Sequence, residues 1–311
     1  MSKDVQKIRL FIVDDSAYVR NFLKSNLGSS FDIIGEAGDG VSAVKQIISL
    51  RPDVVLLDLM MPKMNGDEVA RAVMSTCPIP IVMLTSLSND EIKKSYELME
   101  NSVTEIVRKP EEFDSTFIEK LQKKLTIVSR VKVYKISERS FQNVKIPQDK
   151  IQKGNILTIG VSTGGPKTLR SIIGDITSIV NLPVIVLQHM EKGFEVGYVS
   201  WISEFSSKKV VLLNQKLHLE DALYICPPDK NINVENISGE WKLVPEDAHF
   251  GQLYRPSIDR TLKNISRKIG SKLVHIQLTG LGDDGKEGVA FAKMCGSKVI
   301  CQDPETAIAP S

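Results

Sequence analysis

Short apolar runs alternate along the first third of the chain with segments whose apolar residues recur at helical spacing. The apolar runs predict five strands, at residues 8–13, 32–37, 53–57, 79–84 and 105–107. Helical spacing predicts helices at 17–27 and 41–49. Because such alternation favours a parallel sheet with helices on both faces, residues 1–125 are predicted to form a doubly wound α/β domain.

The alternation starts again at residue 155 and predicts a second doubly wound parallel α/β domain over residues 155–311. Its strands are predicted at 156–161, 184–187, 210–213, 273–278 and 298–301, with helical segments between them. Residues 126–154 differ, because seven Lys or Arg against two acids give a net charge of +5 and the apolar periodicity is weak. This stretch is predicted to be a solvated basic linker, with a basic patch for a partner as the alternative.

Composition narrows the class of protein. The length of 311 residues fits two domains of roughly 100–200 residues each, and the formal net charge of +2 argues against a protein that coats nucleic acid. No apolar run approaches the about 20 residues of a membrane span, and the N-terminus lacks a signal-peptide pattern. The four cysteines are scattered and are interpreted as free thiols. We therefore expect a cytoplasmic protein without membrane insertion.

Polar residues follow the predicted strands of the first domain. Asp14 and Asp15 end the first strand, Asp58 the third and Thr85 the fourth, and Lys109 follows the fifth. The carboxyl ends of parallel strands share one edge, so these side chains are predicted to cluster there. Clustered carboxylates suit Mg²⁺, beside which a carboxylate can attack a phosphoryl donor while Thr85 and Lys109 hold the phosphoryl oxygens. A single acid at such a position more often caps a helix, but five residues together favour the site.

The second domain carries a candidate nucleophile. Residues 160–164 (Gly-Val-Ser-Thr-Gly) fit the pattern G-x-S-x-G, which places a serine, here Ser162, on a sharp turn between a strand and a helix. The amino end of the following helix offers backbone N–H groups to a developing oxyanion. A glycine-rich phosphate-binding turn is the alternative, although neither a P-loop nor a dinucleotide fingerprint is present.

A nucleophilic serine needs a base and an orienting acid. His189 is favoured as the base because it directly follows a predicted strand and lies at the same sheet edge as Ser162. The remaining histidines are interpreted as strand or loop residues, namely His218, His249 and His275. The acid is either Asp283 or Asp284, in the glycine-rich loop after the strand predicted at 273–278. The resulting chain order of Ser, His, Asp differs from the Ser, Asp, His order of α/β-hydrolases.

The first constellation resembles the receiver domain of two-component response regulators over residues 8–125, including Met-Pro-Lys-Met-Asn-Gly at residues 61–66. The resemblance implies a flavodoxin-like fold with Asp58 as the phosphoacceptor. The metal ligands that it implies are Asp14, Asp15, Asp58 and the backbone carbonyl of Met60. Ile106 stands where receivers usually carry an aromatic residue, three positions before the lysine.

The second domain resembles the catalytic domain of the chemotaxis protein-glutamate methylesterases, the CheB family. The resemblance is carried by four motifs in order, at residues 162–166, 188–190, 255–259 and 279–285. In the family pattern the catalytic acid immediately precedes the last glycine of the fourth motif, which implies Asp284. The resemblance also implies that Thr163 and Arg255 line the site. Leu281 replaces a family methionine whose backbone N–H binds the oxyanion, a role that a backbone group can keep.

Together the resemblances imply a phosphorylation-activated serine hydrolase that demethylates glutamate methyl esters and deamidates glutamines on chemoreceptors. The implied partners are methyl-accepting receptors as substrate and a chemotaxis histidine kinase as phosphodonor. The implied cofactor is Mg²⁺ in the receiver domain, with none for ester hydrolysis. We also hypothesise that the unphosphorylated receiver covers the Ser162 edge and that phosphorylation of Asp58 weakens this packing.

Family members continue some tens of residues beyond the segment at 302–305, so the C-terminus of this 311-residue sequence is expected to be shortened. One alternative function is a receiver-controlled binding module whose hydrolase domain is inactive. Another is a DNA-binding response regulator, which the absence of a helix-turn-helix pattern after the linker and the small net charge disfavour.

Overall fold

A computed structural model describes residues 7–86, 92–93, 96–99, 102–131, 133, 155–249 and 251–309. The chain divides into two compact units, each with its own sheet. The first comprises Met1–Ser88 with Glu97–Arg139, and the second comprises Asn89–Tyr96 with Ser140–Ser311. No helix within the described residues combines the length and apolar character that a membrane-spanning segment requires.

The first unit is built around a five-stranded parallel sheet in the order β2-β1-β3-β4-β5. The strands are β1 Ile8–Val13, β2 Phe31–Ala37, β3 Val54–Asp58, β4 Ile81–Thr85 and β5 Glu105–Arg108. Among the described residues, its helices include α1 Ala17–Leu27, α2 Gly40–Leu50, α3 Gly66–Thr76 and α4 Ser115–Val128. This order is the flavodoxin-like one, which confirms the predicted fold of this part of the chain.

Local sequence explains where these elements begin. Every residue of β3 and of β4 is buried, as expected for continuous apolar runs in the centre of a parallel sheet. Asn65 and Glu68 form a capping box at the start of α3, each side chain bonding the other's backbone N–H. Helix α4 runs to Val128, so the first residues of the stretch predicted as a linker are helical. Most of residues 126–154 lie outside the described residues.

The second unit contains a six-stranded parallel sheet in the order β14-β13-β6-β7-β10-β8. Its strands are β6 Ile156–Val161, β7 Val184–Gln188, β8 Val210–Leu212, β10 Leu223–Ile225, β13 Leu273–Gln277 and β14 Lys298–Cys301. Its helices are α5 Gly165–Ile179, α6 Glu195–Ile202, α7 Ile258–Ile269 and α8 Lys286–Met294, with a 3₁₀ turn at Gly270–Lys272. The α/β class predicted for this domain is confirmed.

Strand β10 and a second, antiparallel sheet correct the prediction of helical segments between the strands predicted at 210–213 and 273–278. The antiparallel sheet has the order β11-β12-β9, with β9 Leu217–His218, β11 Lys230–Ile237 and β12 Glu240–Asp247. Ile232 and Val234 alternate with polar residues along β11, which is a strand signal. Ser238 and Gly239 both have positive φ and form the tight turn between β11 and β12.

The strand order places a switch point in each parallel sheet, where successive connections leave in opposite directions. In the first sheet β1 lies beside β3, and in the second β6 lies beside β13. Val161 at the end of β6 pairs with Gln188 at the end of β7, and Gly160 pairs with Gln277 at the end of β13. The loops that follow these three strands therefore leave the sheet at the same level.

Leu273 offers a test of the core beneath this edge. Its side chain is fully buried in β13, so Leu273→Ala is expected to lower the free energy of unfolding by about 2–5 kcal/mol. The matched control is Leu253→Ala, since Leu253 is 72% exposed and should change stability by no more than about 0.5 kcal/mol. Trp201 and Trp241 are the chain's two tryptophans, so denaturant titration by tryptophan fluorescence reports on the second unit. Equal losses in both variants would contradict the assigned core.

Candidate functional site

Three side chains at the carboxyl edge of the second sheet form a continuous hydrogen-bonded chain. Ser162 directly follows β6, His189 directly follows β7, and Asp284 lies in the loop between β13 and α8. The Nδ1 atom of His189 lies 2.9 Å from the Ser162 Oγ. The Nε2 atom of the same ring lies 2.8 Å from Oδ2 of Asp284. The structure thus brings together the three residues predicted to act as nucleophile, base and acid.

The hydrogen bonds define the protonation of the ring. An ionised carboxylate only accepts hydrogen bonds, so the bond to Asp284 requires the proton on Nε2 of His189. In the neutral ring this leaves a lone pair on Nδ1, which accepts the hydroxyl proton of Ser162. The arrangement can therefore draw a proton from Ser162 as its oxygen attacks an electrophile.

Asp284 occupies a site built for an anion, with its side chain only 3% exposed. Besides His189, its two oxygens accept hydrogen bonds from the Ser257 hydroxyl and from the backbone amides of Ile258 and Asp259, at 2.7–3.0 Å. These amides belong to the first turn of α7, where the helix dipole favours negative charge. Burial alone raises the pKa of Asp284, but the interaction with His189 and the two amides outweigh it, so the pKa lies below its usual value.

The neighbouring Asp283 has a different partner. It accepts a hydrogen bond of 3.0 Å from the hydroxyl of Tyr254, whose ring stacks on His189 with the centroids 5.2 Å apart. Gly282 has φ +108°, and a Cβ there would lie 2.4 Å from the Tyr254 hydroxyl oxygen, so only glycine fits this close approach. The sequence left two candidate acids. Asp284 bonds His189, whereas Asp283 holds the Tyr254 ring that stacks on His189.

The loops around Ser162 present backbone groups to the same place. The Ser162 amide donates to the Thr279 carbonyl, and a Cβ on Gly280 would lie 2.9 Å from the Ser162 Cβ, so the two loops touch. Leu281, half-buried, follows Gly280 directly. Thr163 is buried, and its carbonyl accepts a hydrogen bond from the Thr279 hydroxyl. Both residues predicted to supply oxyanion amides therefore belong to loops that meet at the nucleophile.

The other residues singled out in the second domain have separate surroundings. Arg255 is exposed, and its carbonyl accepts the amide of Met190, the residue after His189. His275 is fully buried between Thr158 and Gln277, and burial lowers its pKa to about 4. The other two histidines are exposed, with His218 beside Glu240 and His249 in a loop. Among the described residues, none of the three forms a hydrogen bond with Ser162, His189 or Asp284.

Sequence reasoning assigned no role to several residues that the structure brings to this chain. The Gln188 side-chain amide donates to the carbonyls of both Ser162 and His189, at 3.1 and 2.9 Å, and so ties the two loops together. Ser257 bonds Asp284 and also caps α7 by accepting from the Arg260 amide. Gln188 and Ser257 both lie within the motifs that carry the family resemblance, which was a signal of a functional role. The spacing of residues within a motif does not show which residues each one contacts.

A second candidate site lies at the carboxyl edge of the first sheet. Lys109 Nζ lies 2.8 Å from Asp14 and 2.9 Å from Asp58, and both carboxylates are almost fully buried. Asp15 is exposed, and one carboxylate oxygen from each of the three acids lies within 4.8 Å of the others. The structure therefore brings four of the five predicted residues together, and Thr85 at the end of β4 is linked to them through its carbonyl, which accepts the Lys109 amide.

Charge and orphaned polar groups indicate what this cluster can hold. Burial raises the pKa of Asp58 despite the opposing charge of Lys109, and repulsion by Asp14 adds to the rise. Burial lowers the pKa of Lys109, but its bonds to the two acids outweigh this and raise it. The buried Thr85 hydroxyl has no hydrogen-bond partner within the described residues. Hard carboxylate oxygens beside an unused hydroxyl suit a cation together with an oxyanion.

The two remaining residues noted in this domain flank the cluster. Met60 is 57% exposed, two residues after Asp58, and its amide donates to the Asp58 carboxylate at 3.4 Å. Ile106, in the position where an aromatic residue was expected, is buried in β5.

Comparison with known proteins assigns each unit to a known family. The family described as CheB methylesterase matches residues 157–311, and the response regulator receiver domain family matches residues 10–121. The protein-glutamate methylesterase/protein-glutamine glutaminase of Caldanaerobacter subterraneus subsp. tengcongensis is 34% identical, covering 97% of this chain and 89% of that protein. A Carboxydothermus hydrogenoformans protein of the same name, numbered 1, is 30% identical, covering 98% and 91%.

The crystal structure of the Thermotoga maritima CheB methylesterase catalytic domain has a TM-score of 0.49 at 29% identity, covering 51% of this chain and 85% of that one. Relatives that are 30–34% identical match almost the full length of this chain, so the match includes both units. The chain belongs to the protein-glutamate methylesterase/protein-glutamine glutaminase family, with an N-terminal receiver domain and a C-terminal CheB methylesterase domain.

Proposed function

We propose that this protein is a phosphorylation-activated serine hydrolase that demethylates glutamate methyl esters and deamidates glutamines on chemoreceptors. The observation that carries the proposal is the continuous hydrogen-bonded chain from Ser162 through His189 to Asp284. Its support from related proteins is the shared name of relatives that cover almost the whole chain. We propose that the domains extend over residues 1–125 and 155–311 and are joined by a linker at 126–154, whose first three residues continue α4.

In the acylation step the Ser162 Oγ attacks the carbonyl carbon of the γ-glutamyl methyl ester. Its proton passes to Nδ1 of His189, which lies 2.9 Å away. The tetrahedral intermediate then collapses, the bond to the methoxy oxygen breaks, and Nδ1 returns the proton to the leaving methanol. Asp284, held ionised by its four donors, stabilises the imidazolium while it exists.

Deacylation reverses these roles with water. His189 takes a proton from a water molecule, the hydroxide attacks the acyl carbon, and Ser162 leaves with the proton from the ring. The product is a glutamate side chain. A glutamine side chain follows the same path, releasing ammonia in place of methanol. This chemistry uses the residues of the chain and a water molecule, so no cofactor is assigned to ester hydrolysis.

The oxyanion of each tetrahedral intermediate needs backbone donors. The Ser162 amide donates to Thr279, and the Gly280 amide donates to Ala309, so these two groups are engaged elsewhere. Because the family resemblance points to Thr163 and Leu281, and because both lie on the two touching loops, we assign the oxyanion to their backbone amides. The exposed Arg255 lines the approach to the site.

The receiver domain supplies control. We assign Asp58 as the phosphoacceptor, whose oxygen attacks the phosphorus of a phosphohistidine on a kinase and displaces the imidazole. Thr85 and Lys109 hold the transferred phosphoryl oxygens. Residues Asp14, Asp15, Asp58 and the Met60 carbonyl would hold Mg²⁺, which neutralises charge on the phosphoryl group when bound. The partners are thus chemoreceptors and a chemotaxis histidine kinase.

Removal of the nucleophile tests the hydrolase. Ser162→Ala is expected to lower methanol release from methylated receptor membranes by about 10³-fold or more, because no other group can form the acyl-enzyme. The matched control is Ser271→Ala, which changes an exposed serine of the same unit and should leave the rate unchanged. Turnover in the Ser162 variant at the wild-type rate would exclude this mechanism, and an inactive wild type would favour a binding module.

Phosphorylation and metal dependence can be separated in one assay. A small phosphodonor such as acetyl phosphate is expected to accelerate methanol release by wild type and by Asp32→Asn, an exposed matched control, but not by Asp58→Asn. A chelator is expected to abolish that acceleration while leaving the unstimulated rate unchanged, since only the receiver step uses Mg²⁺. Equal stimulation of the Asp58 variant would contradict the assigned phosphoacceptor.

The lowered pKa of Asp284 predicts a pH-dependent contribution to stability. The folded pKa lies below that of an unfolded Asp, about 3.9, so the ionised carboxylate stabilises the fold above this pH. That contribution is lost as the pH falls through the folded value. The stability deficit of Asp284→Asn relative to wild type should therefore stay constant above about pH 5 and shrink as the pH falls below it, in fluorescence-monitored denaturation. Asp175→Asn, an exposed control, should show no such trend.

A further inference from the structure

Near the amino ends of helices α7 and α8, a carboxylate associated with each helix accepts hydrogen bonds from backbone amides of the other. Asp284, just before α8, accepts the amides of Ile258 and Asp259 in the first turn of α7. In return Asp259 accepts the amides of Gly285 and Gly288 at the start of α8, at 2.9 and 2.5 Å. Each acid thus lies at the positive end of the other helix, and the two contacts close a ring.

The start of α8 depends on this exchange. Its N-cap is Gly285, which has φ +111° and no side chain to satisfy the orphan amides. Asp259 supplies the missing acceptor from the neighbouring helix. A Cβ on Gly288 would lie 2.8 Å from the Asp259 Cα, so the two backbones approach as closely as a glycine permits. The first turn of α8 is therefore fixed by Asp259.

We propose that Asp259 is a positioning residue that holds the Asp284 carboxylate in line with His189. This inference deepens the function proposed above and rests on it. Asp284 immediately precedes Gly285, so a shift of the first turn of α8 moves the carboxylate that bonds the ring. Displacement of a catalytic group by about 1 Å can cost 10²-fold in rate.

Asp259 acts as a hydrogen-bond acceptor, and its negative charge is secondary to that role. Both amides bond the same oxygen, Oδ1, which an asparagine also carries. Burial raises the pKa of Asp259 and the nearby charge of Asp284 adds to the rise, while the Gly288 and Gly285 amides oppose it. The chain therefore offers a conservative variant that keeps the contact and another that removes it.

The experiment compares Asp259→Ala with Asp259→Asn in full-length protein. The alanine variant is expected to lower kcat for methanol release by about 10–100-fold with little change in KM, because the base is misaligned while the substrate contacts persist. The asparagine variant is expected to retain most of kcat. Asp175→Ala, an exposed acid of the same unit, controls for a general loss of charge. Unchanged kcat in the alanine variant would overturn the inference.

A double-mutant cycle separates positioning from a merely structural effect. If Asp259 acts through Asp284, adding Asp259→Ala to Asp284→Asn should cost almost no further activity. An equal loss of kcat in both backgrounds would overturn the inference. Should Asp259→Ala fail to fold, Gly288→Ala perturbs the same contact from α8 and enters the cycle in its place, with the same expectations.

The rate at which a fluorophosphonate probe labels Ser162 gives a readout that does not depend on the receptor substrate. The labelling rate is expected to fall with Asp259→Ala and to be kept with Asp259→Asn. If wild type shows neither labelling of Ser162 nor Ser162-dependent hydrolysis, the proposed function fails and the inference fails with it. If wild type is active and Asp259→Ala labels at the wild-type rate, the inference alone is wrong.

Discussion

Parallel strand pairing in register is the constraint on which both candidate sites depend. Because β6, β7 and β13 run in one direction and end at one level, the loops after them converge. Ser162 and His189 are 27 residues apart in the chain, and His189 and Asp284 are 95 apart, yet their side chains form one hydrogen-bonded chain. The first sheet applies the same geometry to Asp14, Asp58 and Lys109.

The two sites solve the problem of a buried carboxylate in different ways. Asp284 has four donors, among them amides at a helix terminus, so its pKa is lowered and it can orient an imidazole as a stable anion. Asp58 depends mainly on Lys109, and burial raises its pKa. Asp58, a less stabilised carboxylate in the same site as the unused Thr85 hydroxyl, fits the role of a reacting group. Asp284, whose oxygens are fully hydrogen-bonded, fits the role of a group that orients His189.

Much of the fold and part of the site follow from sequence pattern. The strands of the first sheet and five of the six strands of the second parallel sheet were predictable because buried strands consist of apolar runs. Polar residues just beyond these runs indicated the functional edge of each sheet. The antiparallel hairpin at residues 230–247 was missed, although alternation and a Ser-Gly turn were present. Residues alone left Asp283 and Asp284 as alternatives, since adjacent positions in a loop carry no periodic signal.

The sequence by itself determined two α/β units, their functional edges and the residue types that carry chemistry there, because periodicity and strand ends are local properties of the chain. The family resemblance implied Asp284 as the acid, and the tertiary structure shows that Asp284 meets His189 while Asp283 holds Tyr254. Only the tertiary structure decided that Asp259 caps the helix that follows Asp284. These pairings depend on loop glycines with positive φ and on helix termini joined by long-range packing, which no short stretch of sequence encodes.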